Sequence, residues 1–153
     1  MSLAIHVLGN PRVEWDGELR PAPRGRKAWG LLAYLLCGAA RPSRQHLTGL
    51  LFAEADDPLG SLRWNLAQLR RLLGPEVLKK RSLELELPAG SFVDVHRLVD
   101  APPLEAVAVP GLGRELLEDM DFGSNPVFES WLLLERRGLI GAAASEGTLE
   151  MVQ

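Results

Sequence analysis

A chain of 153 residues, 46% hydrophobic and 24% charged, has the composition of one globular domain or two small ones, which excludes a chain too polar to fold. Its single cysteine, Cys37, excludes an internal disulfide framework, and its longest apolar run, WGLLAYLLCGAA, falls short of the roughly 20 residues that span a bilayer. The net charge of −3 conceals a split: 13 Lys and Arg against 7 Asp and Glu through Arg81, then 4 against 13 from Ser82 onward.

Leu3, Ile5 and Val7 alternate, Asn10-Pro11 breaks the run, and Val13 and Trp15 alternate again before Asp16-Gly17, a strong two-residue hairpin turn. The N-terminus is therefore expected to be an antiparallel meander. Residues 21–26, PAPRGR, form a linker that tolerates no regular element. A first helix follows from Lys27 to Ala39, with Leu31, Leu32, Leu35 and Leu36 as its stripe. Few polar residues interrupt it, so burial on most sides is expected. Arg41-Pro42 stops it. Ser43 is a good N-cap for a second helix reaching Phe52, with Leu47, Leu50 and Leu51 inward. Asp56-Asp57-Pro58 is a loop with a helix start. Residues 61–74, SLRWNLAQLRRLLG, form the third helix, ended by Gly74-Pro75.

The pattern then changes from helical to alternating. Val77–Lys80 and Leu83–Leu87 read as a hairpin turning at Arg81-Ser82. Pro88-Ala89-Gly90 closes it, and Ser91–Val93 adds a short third strand. Asp94 is placed to cap a brief helix, Val95–Val99. Three prolines and two glycines in residues 101–113 mark a domain boundary. Arg114–Met120 and Val127–Ala144 then read as helices. Phe128, Trp131, Leu132, Leu134 and Leu139 sit near one face of the last helix, and Gly138, Gly141 and Gly147 weaken its end. Phe128 and Trp131 are expected in the core.

Three helices followed by a β-hairpin is a winged helix-turn-helix order. The expected fold class is α+β. A winged helix with N-terminal antiparallel strands and a C-terminal hairpin wing occupies residues 1–97. A Pro/Gly-rich linker occupies 98–113 and a short all-α segment 114–153. In the third helix, Leu62, Leu66, Leu69 and Leu73 define one core-facing stripe. Arg63, Trp64, Ala67, Gln68, Arg70 and Arg71 spread over the opposite arc. Cations there hold phosphates, and planar amide or guanidinium groups read base edges. Ala67 is small enough for a close approach to a groove floor. No acidic residue occurs from Ser61 to Leu73, whereas a solvated face usually mixes both signs. A plain solvated or protein-binding face is the competing reading of the same spacing.

Lys79, Lys80 and Arg81 place three cations near the wing turn, within reach of backbone phosphate. Arg26 and Lys27 stand just ahead of the first helix, in the run Arg24-Gly25-Arg26-Lys27. Ser43 and Arg44 open the second helix, where backbone N–H groups favour phosphate. Trp64 has three open roles: packing on the wing, contact with DNA sugars, or a protein contact. His6, His46 and His96 fall in three separate elements, so no metal site is expected. Cys37 reads as a packed core thiol. There is no phosphate-loop motif, and Gly111-Leu112-Gly113 lacks the preceding strand that a dinucleotide site needs. With no convergent acid, base or nucleophile, neither an enzyme nor a cofactor is expected. Nothing at the start resembles a signal peptide, so a cytoplasmic setting without a membrane partner is expected.

The run Ser61-Leu62-Arg63-x-x-Leu66-x-x-Leu69-Arg70-Arg71-x-Leu73-Gly74 resembles the recognition helix of bacterial activators of the antibiotic-regulatory (SARP/AfsR-like) family. Ile5-His6-Val7-Leu8-Gly9 with Trp15-Asp16-Gly17 resembles that family's first strands. Arg41-Pro42-Ser43-Arg44-x-x-Leu47-x-x-Leu50-Leu51-Phe52 resembles its second helix. Val93-Asp94-Val95-His96-Arg97-Leu98 resembles the junction with its helical bacterial transcriptional activation domain. Residues 116–121 and 128–136 resemble later parts of that domain. The likeness spans nearly the whole chain and is strongest in residues 41–97 and 114–137.

The resemblance implies an OmpR/PhoB-type winged helix that binds double-stranded DNA as a transcription regulator. Helix 61–73 would enter the major groove and wing 77–87 would rest on the backbone. It also implies an activation domain that meets RNA polymerase or other protein surfaces. Between Leu98 and Arg114 the family usually has two substantial helices, and its helical repeat continues well past the position of Gln153. The second module is therefore expected to be abbreviated. Either the chain is a fragment of a longer regulator, or this part is reduced to a docking element or a homodimer contact through the C-terminal helices. The alternative function is a winged-helix protein-interaction or dimerisation module that does not bind DNA.

Overall fold

The computed structural model describes residues 2–38, 41–81 and 83–152, the side chains of 103 and 143–152 excepted. Three strands open the chain: β1 (Leu3–His6), β2 (Arg12–Trp15) and β3 (Glu18–Leu19). They form the expected antiparallel meander, with Ile5 opposite Val13 and Glu14 opposite Leu19. Asp16 and Gly17, at φ 51° and 81°, both occupy the left-handed region, which a tight two-residue turn between twisted strands requires. The alternation sends Leu3, Ile5 and Val13 into the core.

Helices α1 (Lys27–Cys37), α2 (Arg44–Leu51) and α3 (Pro58–Leu73) follow. The expected end of the first helix, Ala39, lies outside the described residues. Ser43 Oγ accepts the backbone N–H of His46 at 3.0 Å, capping α2 as expected. Asp57 Oδ1 accepts the N–H of Gly60 at 3.0 Å, and Pro58 fills the first helical position, where its missing N–H costs nothing. Gly74, at φ 105°, ends α3.

The wing differs from expectation. The two strands expected over 77–87 reduce to one antiparallel bridge, Leu78 opposite Leu85. It is flanked by hydrogen bonds from Lys79 N to Glu84 O (3.0 Å) and Glu86 N to Val77 O (2.6 Å). Leu83 is drawn into the core at φ 53°, and this left-handed backbone interrupts a regular ladder. Ser82, half of the expected turn, lies outside the described residues. Nor does the third strand join the hairpin. Strand β4 (Phe92–Val93) pairs parallel with β1 instead, giving a mixed sheet of order β3-β2-β1-β4. The element order through β4 is compatible with a winged helix.

Three further helices complete the α+β fold among the described residues: α4 (Asp94–Asp100), α5 (Pro103–Ala106) and α6 (Pro126–Val152). Asp94 does not cap its helix from outside. It is the first helical residue and is fully buried. Its Oδ2 accepts from the N–H groups of Val7 and Leu8, both at 2.9 Å, and Oδ1 from Val95 at 2.7 Å. One carboxylate thus fastens the exit of β1 to the start of α4.

The helix expected over Arg114–Met120 is absent. Leu116 instead bridges to Leu8, Leu117 N donates to Val7 O (2.9 Å), and Gly9 N donates to Glu115 O (2.7 Å). Leu117 and Asp119 adopt left-handed backbone at φ 49° and 67°. The carbonyls of Leu116 and Leu117 find a partner in α6, where the Arg136 guanidinium donates to both at 2.8 Å and to Met120 O at 3.3 Å. Backbone groups that a helix would pair internally are paired across the fold, which satisfies them equally well. In the preceding segment, α5 and the buried Ala106 and Val109 pack onto the fold.

A continuous core joins these parts. Leu62, Leu66 and Leu69 of α3, Leu31 and Leu32 of α1, and Phe122, Phe128 and Leu132 near the C-terminal end all belong to it. Gly30 makes this possible: a Cβ there would stand 3.0 Å from Phe122 and 3.2 Å from Phe128. Phe128 is fully buried and Trp131 partly so, both within an aromatic cluster in which Trp131 lies 4.9 Å from Tyr34 and 5.4 Å from Phe128.

Candidate nucleic-acid interface

Helix α3 buries Leu62, Asn65, Leu66, Gln68, Leu69, Leu72 and Leu73, and leaves Leu59, Arg63, Trp64, Ala67 and Arg71 exposed. At about 100° per residue, Ala67 is at the middle of the outward arc. Leu59 and Arg63 lie to one side of it, Arg71 and Trp64 to the other. The helix supplies no carboxylate to this face. Arg63 and Arg71 have no ion-pair partner among the described residues.

One flank of this arc meets the wing. Arg70 is half-buried and turns toward it, its Nε donating to Leu78 O at 3.4 Å. Burial and then the nearby Arg44 cation hold its pKa below the usual guanidinium range. Arg44 itself donates to the carbonyl of Lys80. Both arginines, expected to contact nucleic acid, are thus partly committed to fastening the wing to the helices. On the wing, Lys79 pairs with Glu86 at 3.0 Å, which raises the lysine's pKa. Lys80 and Arg81 are exposed without an ion pair among the described residues.

The other flank meets residues 20–26, which cross α3 as a strap. Gln68 Oε1 accepts the N–H of Arg24 at 2.7 Å, and its Nε2 donates to Arg24 O at 3.3 Å. Arg20 donates to Arg71 O at 2.9 Å. Gln68, expected to face outward, is therefore buried and spent on the strap. The reason lies in the sequence of the strap, whose Pro21 and Pro23 have no N–H to donate to a neighbouring strand. A two-point side-chain clamp substitutes for a ladder. Trp64, half exposed, stands on this flank with Pro23, Arg24 and Arg71 around a groove of about 540 Å³.

Of the cations ahead of α1, Lys27 pairs with Glu54 and lies over the Phe52 ring at 5.0 Å, which removes it from the free basic surface. Arg26 is exposed, 5.9 Å from the Phe122 ring. Ser43 Oγ is occupied as an N-cap acceptor. Of the expected contact residues, Arg26, Arg63, Trp64, Ala67, Arg71, Lys80 and Arg81 thus remain exposed and outside any ion pair among the described residues. Sequence reasoning missed Arg20 and the clamping role of Gln68. The only local signal was a Pro-x-Pro segment between two arginines, which shows stiffness but no destination.

No family model matches this chain, and no curated protein matches it in sequence. Among solved structures, it is similar to Mycobacterium tuberculosis EmbR, determined in complex with a low-affinity phosphopeptide. The TM-score is 0.64 at 19% identity, over 97% of this chain and 45% of that one. The likeness shows a shared fold, and this chain spans less than half of EmbR's length.

Proposed function

We propose that the chain is a sequence-specific double-stranded DNA-binding transcription regulator of the antibiotic-regulatory (SARP/AfsR-like) type. In this reading α3 lies in the major groove and the wing rests on the backbone. The observation that supports it is the outward arc of α3: Arg63 and Arg71 flank a small Ala67, carboxylates are absent from the helix, and exposed Lys80 and Arg81 stand on the adjoining wing. Such an arc can approach base edges closely while its borders hold phosphates. Structural likeness to EmbR supports the fold on which this reading rests. Arg63 and Arg71 are the proposed groove contacts, and Lys80 and Arg81 the wing's phosphate contacts. The proposed setting is the cytoplasm, without catalysis, with residues 98–113 and 114–153 as the linker and abbreviated activation-type segment.

The test is selection of bound sites from random duplex DNA with the purified chain, followed by titration of the enriched site at several salt concentrations. Enrichment of a common site, with affinity falling steeply as salt rises, is expected. Recovery of no site, or affinity indifferent to salt, would overturn the proposal.

One observation favours an additional protein partner. Val127 and Leu134, two turns apart on one face of α6, are 63% and 66% exposed, and an apolar helix face of this kind is commonly covered. A second copy of the chain and RNA polymerase are both proposed partners for this segment. Self-association of a chain with no affinity for DNA would favour the interaction-module alternative.

A further inference from the structure

The strap has no assigned role, yet it borders the proposed DNA face with its own basic groove. Two ties hold it on α3, the double hydrogen bond of Gln68 to the Arg24 backbone and the bond from Arg20 to Arg71 O. Between them lies the groove of about 540 Å³ formed by Arg20, Pro23, Arg24, Trp64, Gln68 and Arg71. Three arginines line it, with no Asp or Glu among its described lining residues, so its chemistry suits an anion. The half-exposed indole and the proline add a flat apolar wall. A deoxyribose-phosphate unit offers both an anionic oxygen set for arginine and an apolar sugar face for a ring. The groove also shares Arg71 and Trp64 with the outward arc of α3, so one duplex could engage both.

We propose that the strap groove receives the sugar-phosphate backbone of one strand beside the major groove, opposite the strand touched by the wing. Arg20, Arg24 and Trp64 make the contacts. Gln68 is a positioning residue: it touches no DNA and holds the strap against α3. The helix would then be gripped from both sides, by the wing through Lys80 and Arg81 and by the strap. This inference rests on the DNA-binding reading and adds a second phosphate-contact zone to it.

Phosphate-ethylation interference on a selected duplex tests it. Unmodified protein should show two sets of sensitive phosphates, one on each side of the major groove. Arg24→Ala, which leaves both ties in place because only the backbone of residue 24 is used in them, should weaken the strap-side set and keep the wing-side set, with the salt slope of binding smaller by about 0.9. Lys80→Ala/Arg81→Ala should do the reverse. Gln68→Ala should weaken the strap-side set although it removes no charge, and Gln68→Asn, with the same amide on a shorter stem, should recover it only in part. Circular dichroism melting confirms that each variant folds, and Arg24→Ala, at an exposed side chain that makes neither tie, keeps the test informative even if Gln68→Ala does not. Two sensitive sets that the strap variants leave unchanged would overturn the strap inference and leave the regulator reading standing. Absence of binding to any duplex at low salt would overturn both. Strap-dependent binding of a phosphopeptide, without strap-side interference on DNA, would assign the groove to a peptide instead and so overturn the inference.

Discussion

The double substitution Arg63→Ala/Arg71→Ala separates DNA contact from folding. Both side chains are exposed, neither has an ion-pair partner among the described residues, and neither lies on the leucine stripe. Alanine is also the best helix former, so propensity does not oppose the change. Stability should therefore move by no more than about 0.5 kcal/mol, as is usual for surface sites. The loss of backbone contact to Arg20 is not expected either, because that bond uses the carbonyl of residue 71, which alanine keeps. Binding should respond strongly. If each arginine neutralises one phosphate, the slope of log affinity against log salt falls by about 1.8. From 50 to 200 mM salt, that difference is worth about 12-fold in affinity lost by the unaltered protein beyond the loss in the variant. Fluorescence anisotropy titrations of a labelled selected duplex, at four or more salt concentrations, measure both slopes. If either arginine reads a base edge, the variant also loses about 1–3 kcal/mol of discrimination against mismatched sites. A folded variant with an unchanged slope and unchanged site preference would refute the assignment of this face.

Three other outcomes test the packing that supports the face. Arg136→Ala removes the donor to three carbonyls and should destabilise the fold by about 1–3 kcal/mol, read as a lower urea midpoint with one transition for the whole chain. Two separated transitions would show that residues 114–152 and the winged helix do not share one cooperative core. Gly30→Ala places a methyl against Phe122 and Phe128 and should cost about 1–3 kcal/mol by calorimetry or denaturant melting, despite alanine's better helix propensity. Burial first, then the Glu135 and Asp94 charges, push the Cys37 thiol up to about 12, so iodoacetamide should modify the native protein slowly at pH 8 and the unfolded chain rapidly. The linkage sign follows: the fold holds this proton more tightly than the unfolded chain does. The contribution is fully present below the unfolded value of 9.0 and is lost as pH rises through about 12.

Legibility differed by element. The Asp16-Gly17 turn, the Ser43 cap, Pro58 at the first helical position and the stripe of Leu62, Leu66, Leu69 and Leu73 all act within a few residues, so local pattern sufficed. Failures came where a partner distant in sequence outweighed local preference. Residues 114–120 read as helix, but their backbone is paired by residues 7–9 and by Arg136. Phe92–Val93 follows a hairpin in sequence yet pairs with the first strand. Spacing placed Arg63, Ala67 and Arg71 on the outward side of α3, where they are exposed, and misplaced Gln68, which is buried at the border of that side.

The sequence by itself determined which helix is amphipathic, where it starts and stops, and that its outward side is cationic, because these follow from residue type and the 3.6-residue period. Only the tertiary structure decided how wide that outward side is. The wing engages Arg70 and the strap covers Gln68, narrowing the arc to a face centred on Ala67. A helical period gives angles around an axis, but which angles stay open to solvent depends on chain segments that arrive from elsewhere. Pro21 to Arg26 could be recognised as irregular from sequence; that they lie against α3 is a property of the folded chain alone.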